Sequence, residues 1–425
     1  MVQIGLQGTR AVNQPAVFIL LALLILVKPR VSLYLFIIIS PLVSVYHELH
    51  FDPRLWWAAA LAVRAVFPID VDKLWDDGRI IVSVIFFLVY VEVVFLLSSR
   101  GIPADDLSGA QNTVFFVVAA GLFVFAVYRL VGTDTEVVRV VMSLAIAVCC
   151  VGLYAVWQVH VANMLGQPIR AGSTLINANT LSSYMSLMAI TLATSWRFVP
   201  GKWNRLLVGA AFLLAVVSVW LSLSRAGAIA LLIGLLLWWS SRNRKLGVRK
   251  SAILAVLSCG VIFLAFVYLR SYRLQIASDA SDEQAQLVMD ISQSFDDYTR
   301  YQAATYALKE WTQHPIVGIG FGVFPSINYR NNGFYVGSHN TLVEILVGTG
   351  LIGLTFILHI VRQFWKRLNR TGKFLFAPIA VCFIVNSLFG DLLQEIAVLE
   401  ILSVGYLVCV YRGRQIDAFP TFHVQ

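Results

Sequence analysis

Three short strings hold the side chains best suited to chemistry. They are "SLSRAG" (222–227) with Arg225, "GSHNTLVEI" (337–345) with His339, and "NSLFGDLLQE" (386–395) with Asp391. Thr341 and Glu344 have the spacing of a helix capping box, and Ser338 and Asn340 are further capping residues, so a helix is expected from 340–341. His339 then stands at its mouth, where the positive dipole end favours neutral imidazole and nearby anions. Such an imidazole acts as a general base or as a hydrogen-bonding group toward an anionic ligand. The plainer alternative is an interfacial histidine bonded to a loop carbonyl. Arg225 separates two apolar runs with no room for a soluble loop, where a charge must be paired or wet. It either faces a phosphate or snorkels to headgroups. Arg170 opens the polar stretch "RAGSTLINANTLSSYM" (170–185), and Arg300 opens "TRYQAATYALKEWTQHP" (299–315). A guanidinium fork matches phosphate oxygens. Arg270, Arg273 and Arg330 fit solvated or headgroup contacts. Asp391 either caps a helix, orients His339 or binds a hydroxyl.

These side chains must be positioned within an apolar chain. Of its 425 residues, 59% are hydrophobic and 13% charged, with mean hydropathy +0.78. That composition excludes a soluble globular protein. Backbone facing lipid must bond within helices, so one all-α polytopic domain is expected over 1–425. About twelve transmembrane helices are read, near 15–27, 31–46, 80–98, 113–131, 139–160, 180–196, 206–222, 227–240, 251–269, 341–361, 374–389 and 395–411. Residues 55–68 read as a short helix in the membrane interface. The net charge of +9 sits largely in short loops, so it marks topology rather than nucleic-acid binding. The basic strings at 197–205, 242–250, 362–373 and 412–414 are placed in the cytoplasm. On that assignment "KPR" (28–30) falls on the outer side, against the rule.

One large outer (periplasmic) loop with short helices is expected at 270–340. Within it Tyr301, Ala304, Leu308 and Trp311 form the apolar stripe of a helix ended by His314-Pro315. "GIGFGVF" (318–324) reads as a permissive loop, and Gly348, Gly350 and Gly353 suit close helix packing. The five cysteines all lie in apolar runs, where they read as small buried hydrophobes. Asp70 and Asp72 form a DxD string on the predicted inner side. His47, Glu48, His50 and Asp52 read as an interfacial turn. No metal or other cofactor is expected. Glu92 and Glu400 lie inside spans and each needs a partner or a proton.

The "LSLSRAGAIAL" turn, the large outer loop and "R…W…HP…GIGFGVF…SHNTLVEILVGTGLIG" resemble the O-antigen ligase/polymerase superfamily. The length and the single late outer loop are most similar to its ligase branch. The resemblance implies transfer of polysaccharide from undecaprenyl pyrophosphate to the lipid A–core sugar, metal-independent and inverting, at the periplasmic face of a bacterial inner membrane. It implies that Arg225, Arg300 and, more loosely, Arg170 hold pyrophosphate. It implies that His339 is the base on the acceptor hydroxyl or hydrogen-bonds the pyrophosphate, and Asp391 matches the family's aspartate after the penultimate span. The implied partners are the lipid-linked glycan donor, the lipid A–core acceptor and membrane lipids, with no nucleic acid. Alternatives are a polymerase or protein O-oligosaccharyltransferase of the same superfamily, and a lipid-linked glycan transporter. A transporter would carry internal repeats and discontinuous helices.

Overall fold

The computed structural model describes residues 27–43, 53–66, 71–98, 104–164, 170–175, 177–196, 198–242, 297–333, 337–388, 390 and 396–418. All regular structure among these residues is helical. In chain order the helices are α1 (Pro29–Val43), α2 (Pro53–Val66), α3 (Val71–Ser98), α4 (Ala104–Leu130), α5 (Asp134–Met164), α6 (Ala178–Ser195) and α7 (Lys202–Ser222). There follow α8 (Arg225–Arg242), α9 (Asp297–Gln313), α10 (Phe324–Asn332), α11 (Thr341–Arg367), α12 (Arg370–Ser387) and α13 (Ile396–Ala418). Asp134–Met164, Lys202–Ser222 and Thr341–Arg367 are long and apolar enough to cross a membrane. Shorter apolar stretches lie at Pro29–Leu42, Val82–Ser98, Val117–Leu130 and Arg225–Ser241. These helices fit a multi-pass membrane protein. Nearly all of the span read at 15–27, and all of that at 251–269, lies outside the described residues.

At the centre stands α6, packed against α7, α8, α12 and α13. Leu181, Tyr184, Met185 and Leu187 on it are completely enclosed. Around it α5 packs on α7 and α1, α8 on α12, and α4 on α2 and α13, while α3 packs on α11.

Contacts between helix ends collect the basic residues at one end of this bundle. Arg30 pairs with Glu136 at 2.7 Å, and its Nε donates to the carbonyl of Leu130 at 3.3 Å. Tyr411 donates to Val131 O at 3.2 Å, and Arg412 to Thr194 O at 2.6 Å. Arg367 reaches the hydroxyl of Tyr128. "KPR" therefore belongs to the same end as the later basic loops, and the exception expected from the sequence disappears. The short helix read at 55–68 forms as α2 and packs one face into the bundle. Trp57 and Leu61 are buried, and α2 runs back beside α1 with Trp57 Nε1 donating to Ser32 Oγ at 2.9 Å and Arg64 to Val27 O at 2.6 Å. Aromatic and small side chains give it a packing face against α4 that its two arginines mask in the sequence.

The span expected over 341–361 is broken. At Gly350 the backbone has φ 61 and ψ −165, a region open only to glycine. The residues before and after the break are bonded to the segment that follows α9. Ile319 N and Gly320 N donate to Val347 O and Gly348 O at 2.8 and 3.0 Å. In return Leu351 N and Ile352 N donate to Pro315 O and Ile316 O at 2.9 and 3.1 Å. Tyr90 Oη on α3 lies 2.8 Å from Thr349 O. The α11 groups in these bonds would otherwise be unpaired helix termini, and the loop groups unpaired backbone. The glycine-rich segment can lie this close because Gly318, Gly320 and Gly322 all take positive φ, as its loop reading requires.

The loop helix α9 forms, but it packs through a different face from the expected stripe. Tyr301 is 72% exposed and Leu308 40%, whereas Ala303 and Ala307 are buried. Ala307 meets Ile319, Phe324, Val343 and Val347, with Tyr306 and Trp311 at the margin. Small side chains let α9 approach the first half of α11, and this approach decides the face.

Candidate functional site

The turn between α7 and α8 is two residues long. Leu223 takes the left-handed conformation (φ 53, ψ 29), and its N–H returns to Trp220 O at 3.1 Å. Ser224 then accepts the first bond of α8 from Ala228 N at 3.1 Å, which makes Arg225 the first residue of the helix. Arg225 is half-buried. Two residues on, a Cβ at Gly227 would lie 1.7 Å from Ser182 Oγ, so α8 touches α6 with backbone rather than side chain. Arg170 is drawn to the same turn. Its Nε donates to Ser222 O at 3.0 Å and its Nη2 to Asn179 Oδ1 at 3.1 Å, while Ala171 N donates to Leu221 O at 3.1 Å. The structure thus brings Arg170 and the turn of Arg225 together, across 55 positions of sequence.

His339 is half-buried and lies in the left-handed region at φ 52. For a residue with a Cβ that conformation costs about 1 kcal/mol or more and must be held by its surroundings. The helix cap is Asn340, whose Oδ1 accepts from Leu342 N and Val343 N at 3.0 and 3.2 Å. Thr341 is not the cap, and Glu344 closes no capping box. Its carboxylate reaches one residue past His339 to Ser338. On the far side, Asn340 Nδ2 donates to Leu388 O at 3.2 Å and Thr341 Oγ1 to Gly390 O at 2.6 Å. The chain just before Asp391 therefore lies against the start of α11; Asp391 itself is outside the described residues.

A buried polar cluster joins the two strings, and the sequence reading missed it. Asn386, 1% exposed near the end of α12, accepts from Ser183 Oγ at 3.0 Å and donates to Ser186 Oγ at 3.0 Å. Ser182, beside Ser183, is the residue that Gly227 faces. The approach of Gly227 to Ser182, the bond of neighbouring Ser183 to Asn386, and the bond of Asn340 to Leu388 O two residues further on link the turn of Arg225 through α6 and α12 to the loop of His339. An asparagine inside an apolar span was the available signal. The N-termini of α6, α8 and α11 all lie at this end, opposite the basic one, and their dipoles add to Arg170 and Arg225 to favour an anion.

Arg300 lies in the first turns of α9, one turn before the buried Ala303, and its side chain is outside the described residues. Because α9 packs on the first half of α11, Arg300 and His339 belong to one packed unit. Arg330 is exposed on α10. Asp72 starts α3, whose other end, Ser98, faces Gly320. That puts it about 39 Å from the loop at 1.5 Å rise per residue. Asp70, the 47–52 string, Arg270 and Arg273 lie outside the described residues. Glu400 is buried within the charge field of Arg54, and Glu92 is half-buried on α3. Among the described residues no three His, Cys, Asp or Glu side chains come together as metal ligands would. Of the cysteines, Cys382 and Cys409 are buried and Cys150 is exposed.

A comparison with protein families matches the model described as O-Antigen ligase to residues 210–358. No curated protein matches the chain. The matched segment is about a third of the chain and contains Arg225, Arg300 and His339, with Arg170 and Asp391 outside it. It runs from the middle of α7 past the break in α11 to residue 358. This segment is similar to the O-antigen ligase family, and the similarity supports a place in the O-antigen ligase superfamily and a glycosyl-transferring activity of the ligase or polymerase type.

Proposed function

We propose that the protein ligates O-antigen polysaccharide from undecaprenyl pyrophosphate onto lipid A–core oligosaccharide at the periplasmic face of the bacterial inner membrane. The observation that carries this reading is the contact path from Arg170 and the Arg225 turn, through Ser183 and Asn386, to the loop of His339. It puts guanidinium groups, helix N-termini and an imidazole at one level of one end of the bundle. This supports the reading of a site for a lipid-borne pyrophosphate.

In this reading Arg225 and Arg300 hold the pyrophosphate. Arg170 stays bonded to Ser222 and Asn179 and holds the turn that presents Arg225. His339 accepts the proton of the acceptor hydroxyl as its oxygen attacks the anomeric carbon of the donor sugar. The bond from that carbon to the phosphate oxygen breaks, and the configuration inverts. The departing pyrophosphate carries new negative charge, which the arginines and helix dipoles stabilise without a metal. Asp391 orients His339 or binds the acceptor. A transporter fits less well. The break in α11 is the discontinuity such a protein would need, but residues 315–320 take up the freed backbone groups that would otherwise bind cargo.

The test is transfer by the purified chain from an undecaprenyl-pyrophosphate glycan to lipid A–core, a second glycan or a peptide, each supplied alone. The expected product is on lipid A–core, and His339→Ala, still folded, makes none. Elongation of the second glycan alone would make the protein a polymerase. Full transfer by the alanine variant would remove His339 from the chemistry.

A further inference from the structure

His339 keeps an unfavourable backbone conformation, and the residues that hold it are visible. After it, Asn340 and Thr341 are tied to the end of α12. Before it, Ser338 is buried at 1% exposure, and its Oγ lies 3.0 Å from Glu344 Oε2. Glu344 Oε2 is also 3.5 Å from Ser338 N. Glu344 is itself only 2% exposed, on the first turns of α11. Burying a carboxylate there costs free energy that an alanine would not incur. A residue kept at that cost is doing more than filling space.

We propose that Glu344 is the positioning residue for His339, acting through Ser338. This rests on the role given to His339 above. Ser338 Oγ lies 3.0 Å from Asn340 O as well as from the carboxyl group. A hydroxyl has one proton to give. Either the carboxylate accepts it, or a protonated Glu344 donates to Ser338 while Ser338 donates to Asn340. In both states the same contact locks residues 338–340 around His339. A glutamine, whose amide also donates, keeps that contact; an alanine loses it.

The experiment measures kcat and KM for transfer, with thermal unfolding, for the full chain in detergent. The variants are Glu344→Ala, Glu344→Gln, Ser338→Ala, His339→Ala and the pairs Ser338→Ala/Glu344→Ala and His339→Ala/Glu344→Ala. Glu344→Ala and Ser338→Ala should each lower kcat by about tenfold or more with little change in KM, as loss of a supporting shell does. The Ser338/Glu344 pair should be no worse than the worse single change, because both act on one contact. Glu344→Gln should restore kcat to within about threefold of wild type. Multiplying effects, a glutamine variant as poor as the alanine, or an unchanged kcat in Glu344→Ala would each overturn the proposal. If Glu344→Ala fails to fold, Ser338→Ala and Glu344→Gln decide alone. A fully active His339→Ala would sink the catalytic reading and this proposal together. An inactive His339→Ala beside a fully active Glu344→Ala would sink this proposal only.

Discussion

Asn340 holds the carbonyl of Leu388 at 3.2 Å through the same amide whose oxygen caps α11. The two functions can be separated. Asn340→Asp keeps the capping oxygen and removes the donor to Leu388. We expect stability within about 1 kcal/mol of wild type and a several-fold loss of transfer, because the chain leading to Asp391 keeps only its tie from Thr341 Oγ1 to Gly390 O. Asn340→Ala should add the loss of the cap, about 1 kcal/mol more, and lose transfer as well. Thermal unfolding and transfer rates on the same samples check both, and normal transfer by the aspartate variant would show that the tie positions nothing.

Gly227 and Ser182 make a second separable pair. A methyl group at Gly227 would sit 1.7 Å from Ser182 Oγ and 2.6 Å from Ser182 Cβ. Gly227→Ala should therefore push α8 from α6 and cost about 1–3 kcal/mol, as overpacking does. Adding Ser182→Gly removes both atoms but leaves the backbone carbon of residue 182 at 3.1 Å and adds a helical glycine, so it should recover part of that loss. Midpoints of thermal unfolding for the single and double variants test this. No recovery would mean that the glycine is needed for another reason.

What the sequence made legible here is local chemistry. The start of α11, the end of α9 at His314-Pro315 and the two-residue turn before Arg225 depend on caps, prolines and apolar runs within a few positions. Features that depend on a distant partner were not legible. Gly350 breaks its helix only because residues 315–320 arrive to take the freed bonds, and three glycines in an apolar span fit close packing equally well. The buried face of α9 follows from how near α11 can come, which favours Ala303 and Ala307 over the larger Tyr301 and Leu308. The side assigned to "KPR" depends on the number of spans between it and the later loops, whereas its place follows from the distant bonds of Arg30 to Glu136 and Leu130. Asn386 went unnoticed because its partners, Ser183 and Ser186, lie about 200 positions away.

The sequence reading gives Arg225 and, more loosely, Arg170 the same pyrophosphate role, and the structure gives reason to expect different phenotypes. Arg170 bonds Ser222 O and Asn179 Oδ1, so Arg170→Ala should destabilise the fold by about 2 kcal/mol, the scale of a lost charged hydrogen bond, and lower activity through the turn. Arg225→Ala should weaken donor use far more than Arg330→Ala, which alters an exposed side chain on α10. Donor titrations and thermal unfolding separate these outcomes. Equal loss from Arg225→Ala and Arg330→Ala would mean that place in the fold is irrelevant.

Gly350→Ala tests whether the broken helix matters to the site. The alanine Cβ would meet Ile316 O at 2.3 Å, and its φ of 61 with ψ −165 is closed to side chains. Two responses are available to the chain. It can keep the break at a cost of about 3 kcal/mol in strain and contact. Alternatively it can straighten α11, which would expel residues 315–320 and rotate the half-helix that starts beside His339. Either response should lower the unfolding midpoint, and the second should also abolish transfer and free the 315–320 segment for protease cleavage. Wild-type stability and transfer in Gly350→Ala would show that the break is incidental to holding His339.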